Sequence, residues 1–369
     1  MNHHNETLYR VALKNIPKVG AVIARNLVSY CGSVEAVFRE NPRHLLRVPG
    51  VGPKLVSSIR QKSNLLKAEE ELRFIEKHDI QLHFYLDDCY PERLRHISQA
   101  PILMYSKGTF DLNAERIISI VGTRQATNYG KLMCARIIRD LAIYNPVVVS
   151  GLAYGIDITA HREAVARNLS TVAVLGNGLG RIYPSQHRSF TKTMTKHGGL
   201  LTEFGFETPP DKENFPSRNR IIAGLADVII VVESAESGGS IITAEFANSY
   251  NRDVAAIPGR GNDEMSAGCN KLIKTHKAHL VESGADIARL LSWDDENNKP
   301  AATQSALFAD LSEEEQLLLE LMKDGKEAGL DILSLQSKMS LGELATVLLS
   351  LEFKGVVQAL PGKRFLRLN

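Results

Sequence analysis

The chain of 369 residues is 44% hydrophobic and 23% charged, a balance that excludes disordered and fibrous classes and calls for two or three domains, at least one with a sizeable core. Its longest apolar runs, such as Val228 to Val232, are far too short to span a bilayer, so neither secretion nor a membrane role is expected. Cys31, Cys89, Cys134 and Cys269 form no C-x-x-C pair, which argues against a disulfide framework or zinc ribbon and fits a reducing cytoplasm.

The net charge of +2 hides an uneven distribution: eleven Lys/Arg stand against Glu6, Glu35 and Glu40 up to Lys67, whereas Asp294 to Glu320 holds eight acids and Lys299. The basic end points toward a polyanion and the acidic stretch toward a solvated linker running into a helix. Within the basic end, Ile16-Pro17-Lys18-Val19-Gly20 and Val48-Pro49-Gly50-Val51-Gly52-Pro53-Lys54 each precede an apolar helical segment. Both read as helix, tight turn, helix, with Gly50 and Gly52 supplying backbone freedom and Lys54 or Lys18 supplying charge for a phosphate at the helix start. The pattern resembles the helix-hairpin-helix module, whose role is sequence-independent contact with DNA backbone. Gly50, Gly52 and Lys54 are therefore auxiliary backbone-contact candidates. A helical cap used only for packing is the competing interpretation.

Beyond Arg116, short β-branched runs alternate with helix-period segments, predicting an α/β domain with a mostly parallel, Rossmann-like sheet. The expected strands are Ile117 to Val121, Val147 to Val149, Thr171 to Leu175, Leu200 to Thr202, Asp227 to Val232 and Val254 to Ile257. Ligands of such sheets collect beyond the carboxyl ends of strands, where Gly122-Thr123-Arg124 and Ser150-Gly151 fall. Small residues there admit an anion to backbone N–H groups, and Arg124 brings a forked guanidinium. Gly176-Asn177-Gly178-Leu179-Gly180 misses the G-x-G-x-x-G spacing of a dinucleotide site. Further on, Lys212 through Arg220 interleave Phe215 with Arg218 and Arg220, the aromatic and cationic mixture that holds a single strand without reading it. Each arginine could equally be an internal brace held by a carboxylate. Ser237-Gly238-Gly239-Ser240 opens another anion-compatible helix, and Asn270-Lys271 lies near a further helix start. His161 follows Asp157 by one helical turn, which suits an ordinary helix-start interaction better than acid–base catalysis. No metal-ligand spacing or cofactor motif is present.

Residues 292–310 read as a linker. Helical segments are expected at Ser312 to Met322, Asp331 to Lys338 and Leu341 to Phe353, followed by a strand, a Pro361-Gly362 turn and a second strand from Arg364. Three helices and a hairpin make a winged helix. Its third helix offers Glu343 and Glu352 rather than bases, with Lys363, Arg364 and Arg367 on the wing, so protein contact or regulation is expected there in place of groove reading. The domains are thus expected at 1–67, 68–291 and 311–369, with the linker between the last two.

The ordered series I-V-G-T-R, S-G-L-A-x-G-I-D-x-x-A-H, V-L-G-x-G, I-Y-P, F-P-x-R-N-R-I-I-A-G-L, V-V-E, S-G-x-x-x-T-A, P-G and G-x-N-x-L-I closely resembles the DNA-processing protein A family, also called Smf. The resemblance implies a non-enzymatic, cytoplasmic protein without cofactor. Such a protein binds and protects single-stranded DNA, dimerises through the Rossmann-like core and loads the RecA recombinase in natural transformation. It also implies a DNA pocket on Gly122, Thr123, Arg124, Ser150, Gly151, Lys212, Phe215, Arg218, Asn219, Asn270 and Lys271. Departing from the family's usual glycine-alanine, the last motif continues here with Lys277-Ala278. The rival is a nucleoside-monophosphate phosphoribohydrolase. Gly238-Gly239 through Glu245 is similar to its P-G-G-x-G-T-x-x-E signature, with serine in place of the leading proline and the later glycine spacing broken.

Overall fold

The computed structural model describes residues 2–293, 311–322, 327–354, 356–360 and 364–367. They fall into two units divided after Trp293. Among the described residues no helix is long and apolar enough to cross a membrane.

The first unit opens with α1 (Asn2–Lys14), α2 (Ala21–Cys31), α3 (Val34–Arg39), α4 (Pro42–Leu45), α5 (Pro53–Ile59) and α6 (Ser63–Lys77). The two expected hairpin turns have matching backbones. Val19 N–H donates to the Ile16 carbonyl at 3.1 Å and Val51 N–H to the Val48 carbonyl at 3.0 Å. Gly50 takes φ +85°, and Lys18, at the equivalent position, takes φ +67°. Left-handed backbone is cheap for glycine and strained for lysine; the first copy keeps the turn without the residue suited to it.

These helices share one core with the sheet that follows. Val11, Leu27, Leu45 and Leu72 pack together with Phe84, Leu103 and Tyr105, and α6 runs through position 67 without a break. Two N-terminal cations serve this docking: Arg10 pairs with Asp87 at 2.9 Å and lies 4.5 Å from the Phe84 ring centre, and Arg25 lies 5.2 Å from that of Tyr85.

The sheet runs through β1 (Gln81–Phe84), helix α7 (Glu92–Arg95), β2 (Leu103–Gly108), β3 (Ile117–Val121), α8 (Asn128–Leu141), β4 (Val147–Ser150), α9 (Ile156–Ala166), β5 (Thr171–Val174), α10 (Arg188–Met194), β6 (Gly198–Thr202), α11 (Asn214–Leu225), β7 (Val228–Val231), α12 (Gly239–Ser249), β8 (Asp253–Ala256), α13 (Ala267–Lys274), β9 (His279–Leu280) and α14 (Gly284–Leu290). Its strand order is β1-β2-β6-β5-β4-β3-β7-β8-β9. From β6 to β9 every pairing is parallel, whereas β1 and β2 add an antiparallel edge. Both faces are covered, which is why the strands read as continuous apolar runs. Val147, Val149, Ile229 and Val231 face the core that includes Leu94, Ile221, Ala244 and Leu272. Their neighbours Val148, Val228 and Ile230 face Cys134, Ile137, Ala160 and Ile287 on the other side. The chain lays down β3 to β6 in one direction and returns to place β7 on the opposite flank of β3. That reversal opens a crevice at the carboxyl ends of β3, β4 and β7.

The second unit holds helices Glu313–Leu321, Leu330–Ser337 and Leu341–Phe353 and a three-stranded sheet of β10 (Glu327–Gly329), β11 (Val357–Leu360) and β12 (Arg364–Arg367) in the order β10-β12-β11. Leu318, Leu333, Leu344, Leu348 and Val357 form its core. Ser312 and Ser340 close capping boxes with Glu315 and Glu343. Burial pushes the Glu315 carboxyl up, but hydrogen bonds from Lys354, Ser350 and the Ser312 N–H overcome it and hold the group at about 2. This is the expected winged helix. Its Pro361-Gly362 turn and Lys363, and positions 294–310 of the expected linker, lie outside the described residues.

Candidate nucleic-acid interface

At the switch point lies a cleft of about 710 Å³ whose lining includes Gly122, Thr123, Arg124, Lys212, Phe215, Arg218 and Asn219. Seven of the eleven expected pocket residues thus converge from the end of β3 and the start of α11. Arg124 and Lys212 are exposed and Phe215 is half-buried. The Arg124 guanidinium stands 5.3 Å from the Phe215 ring centre, and the Tyr183 ring lies 5.9 Å from the same ring. The cleft therefore offers solvent-facing positive charge and an aromatic face side by side.

Ser150 and Gly151 are not part of the lining and lie behind Asp157 and Arg218, which are. Ser150 is buried and donates its hydroxyl to the Ile120 carbonyl at 2.6 Å, locking β4 to β3. A side chain at Gly151 would run into the Asp157 carboxylate and the Arg218 guanidinium, so only glycine lets the backbone sit there. Arg218 is itself buried, donates to the Val174 carbonyl and faces Asp157. Desolvation lowers the Arg218 pKa and raises that of Asp157, and in each case the partner opposes the shift. Arg218 is a brace beneath the cleft with one edge toward its lumen. Arg220 is a brace outright: it pairs with Glu203 and donates to the Gln99 carbonyl at 2.6 Å.

Asp157 and His161 have separate partners. The Ala153 N–H donates to Asp157 at 3.3 Å. His161 is fully buried, with Nδ1 2.7 Å from Thr171 Oγ1 and Nε2 3.2 Å from the Gly151 carbonyl. Desolvation takes the ring down to about 4, so it is neutral at pH 7. Nε2 donates to the Gly151 carbonyl, and the single proton of the Thr171 hydroxyl is shared between Nδ1 and the Val148 carbonyl 2.8 Å away.

The loop carrying Arg124 is held from below by Glu233, which accepts from the Thr127 N–H at 2.9 Å and from its hydroxyl at 2.6 Å, while the Thr123 N–H donates to the Glu233 carbonyl at 2.7 Å. Asn219 donates to the Gly239 carbonyl at 3.2 Å, bringing the double-glycine start of α12 into the cleft wall.

Asn270 and Lys271 stand apart from this lining. Asn270 clamps Gly259, accepting from its N–H at 3.2 Å and donating to its carbonyl at 3.1 Å, and Lys271 pairs with Glu236 at 2.7 Å. Lys271 and Glu245 line a separate groove, in which Glu245 lies 3.7 Å from Lys277. Gly50, Gly52 and Lys54 are exposed on the helical hairpin and do not line the cleft. Among the described residues no His/Cys/Asp/Glu cluster could hold a metal ion.

Residues 81–292 match the family model described as DNA recombination-mediator protein A, residues 11–62 a SAM-like helix-hairpin-helix tandem, and residues 300–363 the DprA winged helix domain. The chain belongs to the DNA-processing protein A (DprA/Smf) family. It is 30% identical to Protein Smf of Synechocystis over 399 residues, covering 99% of both chains, and 42% identical to DNA processing protein DprA of Streptococcus pneumoniae over 202 residues, 55% of this chain and 71% of that one. The X-ray structure of Streptococcus pneumoniae DprA superposes with a TM-score of 0.65 at 32% identity, over 77% of this chain and 97% of that one. The Helicobacter pylori DprA structure, described for its unique single-stranded DNA binding mode, gives 0.53 at 27% identity, over 58% and 96%.

The cleft also contains Tyr183, Ile242 and Met265, which sequence reasoning did not place there. Tyr183 sat in the I-Y-P motif, whose exposed aromatic was the available signal. Met265, 3.8 Å by its sulfur from the Thr123 hydroxyl, arrives on a loop with no pattern to announce it.

Proposed function

We propose that the cleft binds single-stranded DNA without reading its sequence, and that the protein acts without catalysis. The observation that carries this reading is the Arg124 guanidinium beside the half-buried Phe215 ring, with Lys212 on the same cleft wall. A phosphate needs a cation and close backbone approach, and an unpaired base can stack on an aromatic ring or on an arginine guanidinium plane. Stacked bases in a duplex present no face to such a ring, so the arrangement favours a single strand. Gly122, Thr123, Arg124, Lys212, Phe215 and Asn219 make the contacts in this account, Arg218 braces the cleft with Ser150 and Gly151 behind it, and Asn270 and Lys271 shape a neighbouring ledge. The single-stranded DNA binding mode described for Helicobacter pylori DprA supports the reading.

Within this proposal the protein works in the cytoplasm as a homodimer joined through its core, protects incoming single strands and loads RecA onto them during natural transformation. Arg124→Ala tests the cleft. Removing this phosphate-binding cation, and with it the cation–π pair to Phe215, should weaken binding by about 10- to 100-fold, with an unchanged thermal melt because Arg124 is exposed. Wild-type affinity in the folded variant would remove the cleft from the account.

A further inference from the structure

From Ile158 to Thr202 the chain carries Arg162, Arg167, Arg181, Arg188, Lys192 and Lys196 against one acid, Glu163. Glu163 is taken by Arg167 four residues later. The other five cations are exposed and have no carboxylate partner among the described residues. On α10, Arg188 and Lys192 stand one turn apart on the outer face, while Thr191 and Met194 anchor the inner one. Like charges at this spacing repel, so the row disfavours the free helix and is relieved when an anion binds.

This basic face joins the cleft through aromatic residues. Arg162 on α9 reaches across to α10, its guanidinium 6.0 Å from the Phe190 ring centre. In the turn before α10, Gln186 accepts from the Tyr154 hydroxyl at 2.7 Å, and the His187 ring lies 5.1 Å from that of Tyr154. His187 is fixed in turn by the Leu152 carbonyl at 2.8 Å. Tyr154 and Tyr183, both exposed, line a recess together with Arg124 and Phe215. Tyr154 thus links this recess to the turn that precedes α10.

We propose that this surface is a second track for single-stranded nucleic acid, carrying the continuation of the strand held in the cleft. Arg162, Arg188 and Lys192 neutralise its phosphates and Tyr154 and Tyr183 stack its bases. Charge interleaved with exposed rings and continuous with the cleft is the chemistry of a strand path. The track rests on the cleft reading, since it extends that site.

The experiment measures anisotropy of labelled oligothymidylates of about six and about twenty nucleotides on the full chain, comparing wild type with the double variant Arg188→Glu/Lys192→Glu. Both positions are exposed, and an unchanged thermal melt certifies the fold. The expected result is wild-type affinity for the short probe, at least a tenfold loss for the long one, and a salt slope for the long probe reduced by about 1.4, or about 0.7 for each phosphate that the variant no longer neutralises. Equal affinity of variant and wild type for the long probe overturns the track and leaves the cleft standing. An equal loss for both lengths also overturns it, because the charges would then act only through the general field. Failure of the wild-type chain to bind either probe overturns the cleft reading and the track with it.

Discussion

Arg124 and Arg218 approach the same ring, at 5.3 and 6.0 Å from the Phe215 centre, and do different work. Arg124 is exposed and can exchange water for phosphate. Arg218 is buried against Asp157, so its removal would leave an uncompensated buried charge, a change that costs about 3–5 kcal/mol. Binding is therefore tested at Arg124 and the scaffold at the groups below it. His161 is one of these. Its ring titrates near 6.5 when unfolded and near 4 when folded. Between those values the unfolded chain binds more protons, so the contribution of His161 to stability is complete above pH 6.5 and is lost as pH falls toward 4, by about 3 kcal/mol. Urea melts at pH 6.5 and 4.5, followed by fluorescence of the lone tryptophan, Trp293, which is buried against Tyr144, should show a smaller acid-induced loss in His161→Gln than in wild type. An identical loss in both would show that the buried ring does not govern this window.

Among the elements, the paired hairpin turns expose a local conflict. Lys18 holds the left-handed conformation that Gly50 holds in the second copy. The strain costs about 1–2 kcal/mol, part of which glycine would return as unfolded-chain entropy. Lys18→Gly should raise stability by about 0.5–1 kcal/mol, or about 2 °C in Tm by calorimetry; a fall in Tm would mean that the lysine side chain stabilises the turn by more than its backbone strain. The V-P-G-V-G-P-K turn was legible because its glycines announce φ, and the first turn was legible only by analogy with it. Strands β3 to β8 were legible because both of their faces are buried, leaving unbroken apolar runs. The antiparallel pair β1 and β2 was not: Gln81–Phe84 is four residues with one exposed end, and its partner joins the sheet through contacts distant in sequence. In the site, Arg124 was readable from its place just past a strand end and Phe215 from its place beside a proline at a helix start. Whether Arg218 would brace or contact was not, because that depends on Asp157, sixty-one positions away. Asn270 and Lys271 carried the right chemistry for the cleft, and the fold turned them toward Gly259 and Glu236.

For the whole molecule, charge had to be located before it meant anything. Part of the N-terminal excess of positive charge is used inside the protein, where Arg10 and Arg25 dock the helical module onto β1 and its following loop. The cations left open to solvent around the cleft and along α10 lie instead on the sheet domain, at and beyond the switch point between β3 and β7. A sequence-tolerant site of this kind draws its affinity from phosphate neutralisation and ring stacking, so it must be sensitive to salt and selective for unpaired strands. The most direct measurement is a titration of the full chain with labelled single-stranded and duplex oligonucleotides of scrambled sequence at two salt concentrations. The account predicts tighter binding to the single strand, indifference to its sequence, and an affinity that falls with salt at a slope of about −0.7 per phosphate neutralised. Equal affinity for both forms, or binding unmoved by salt, would contradict it.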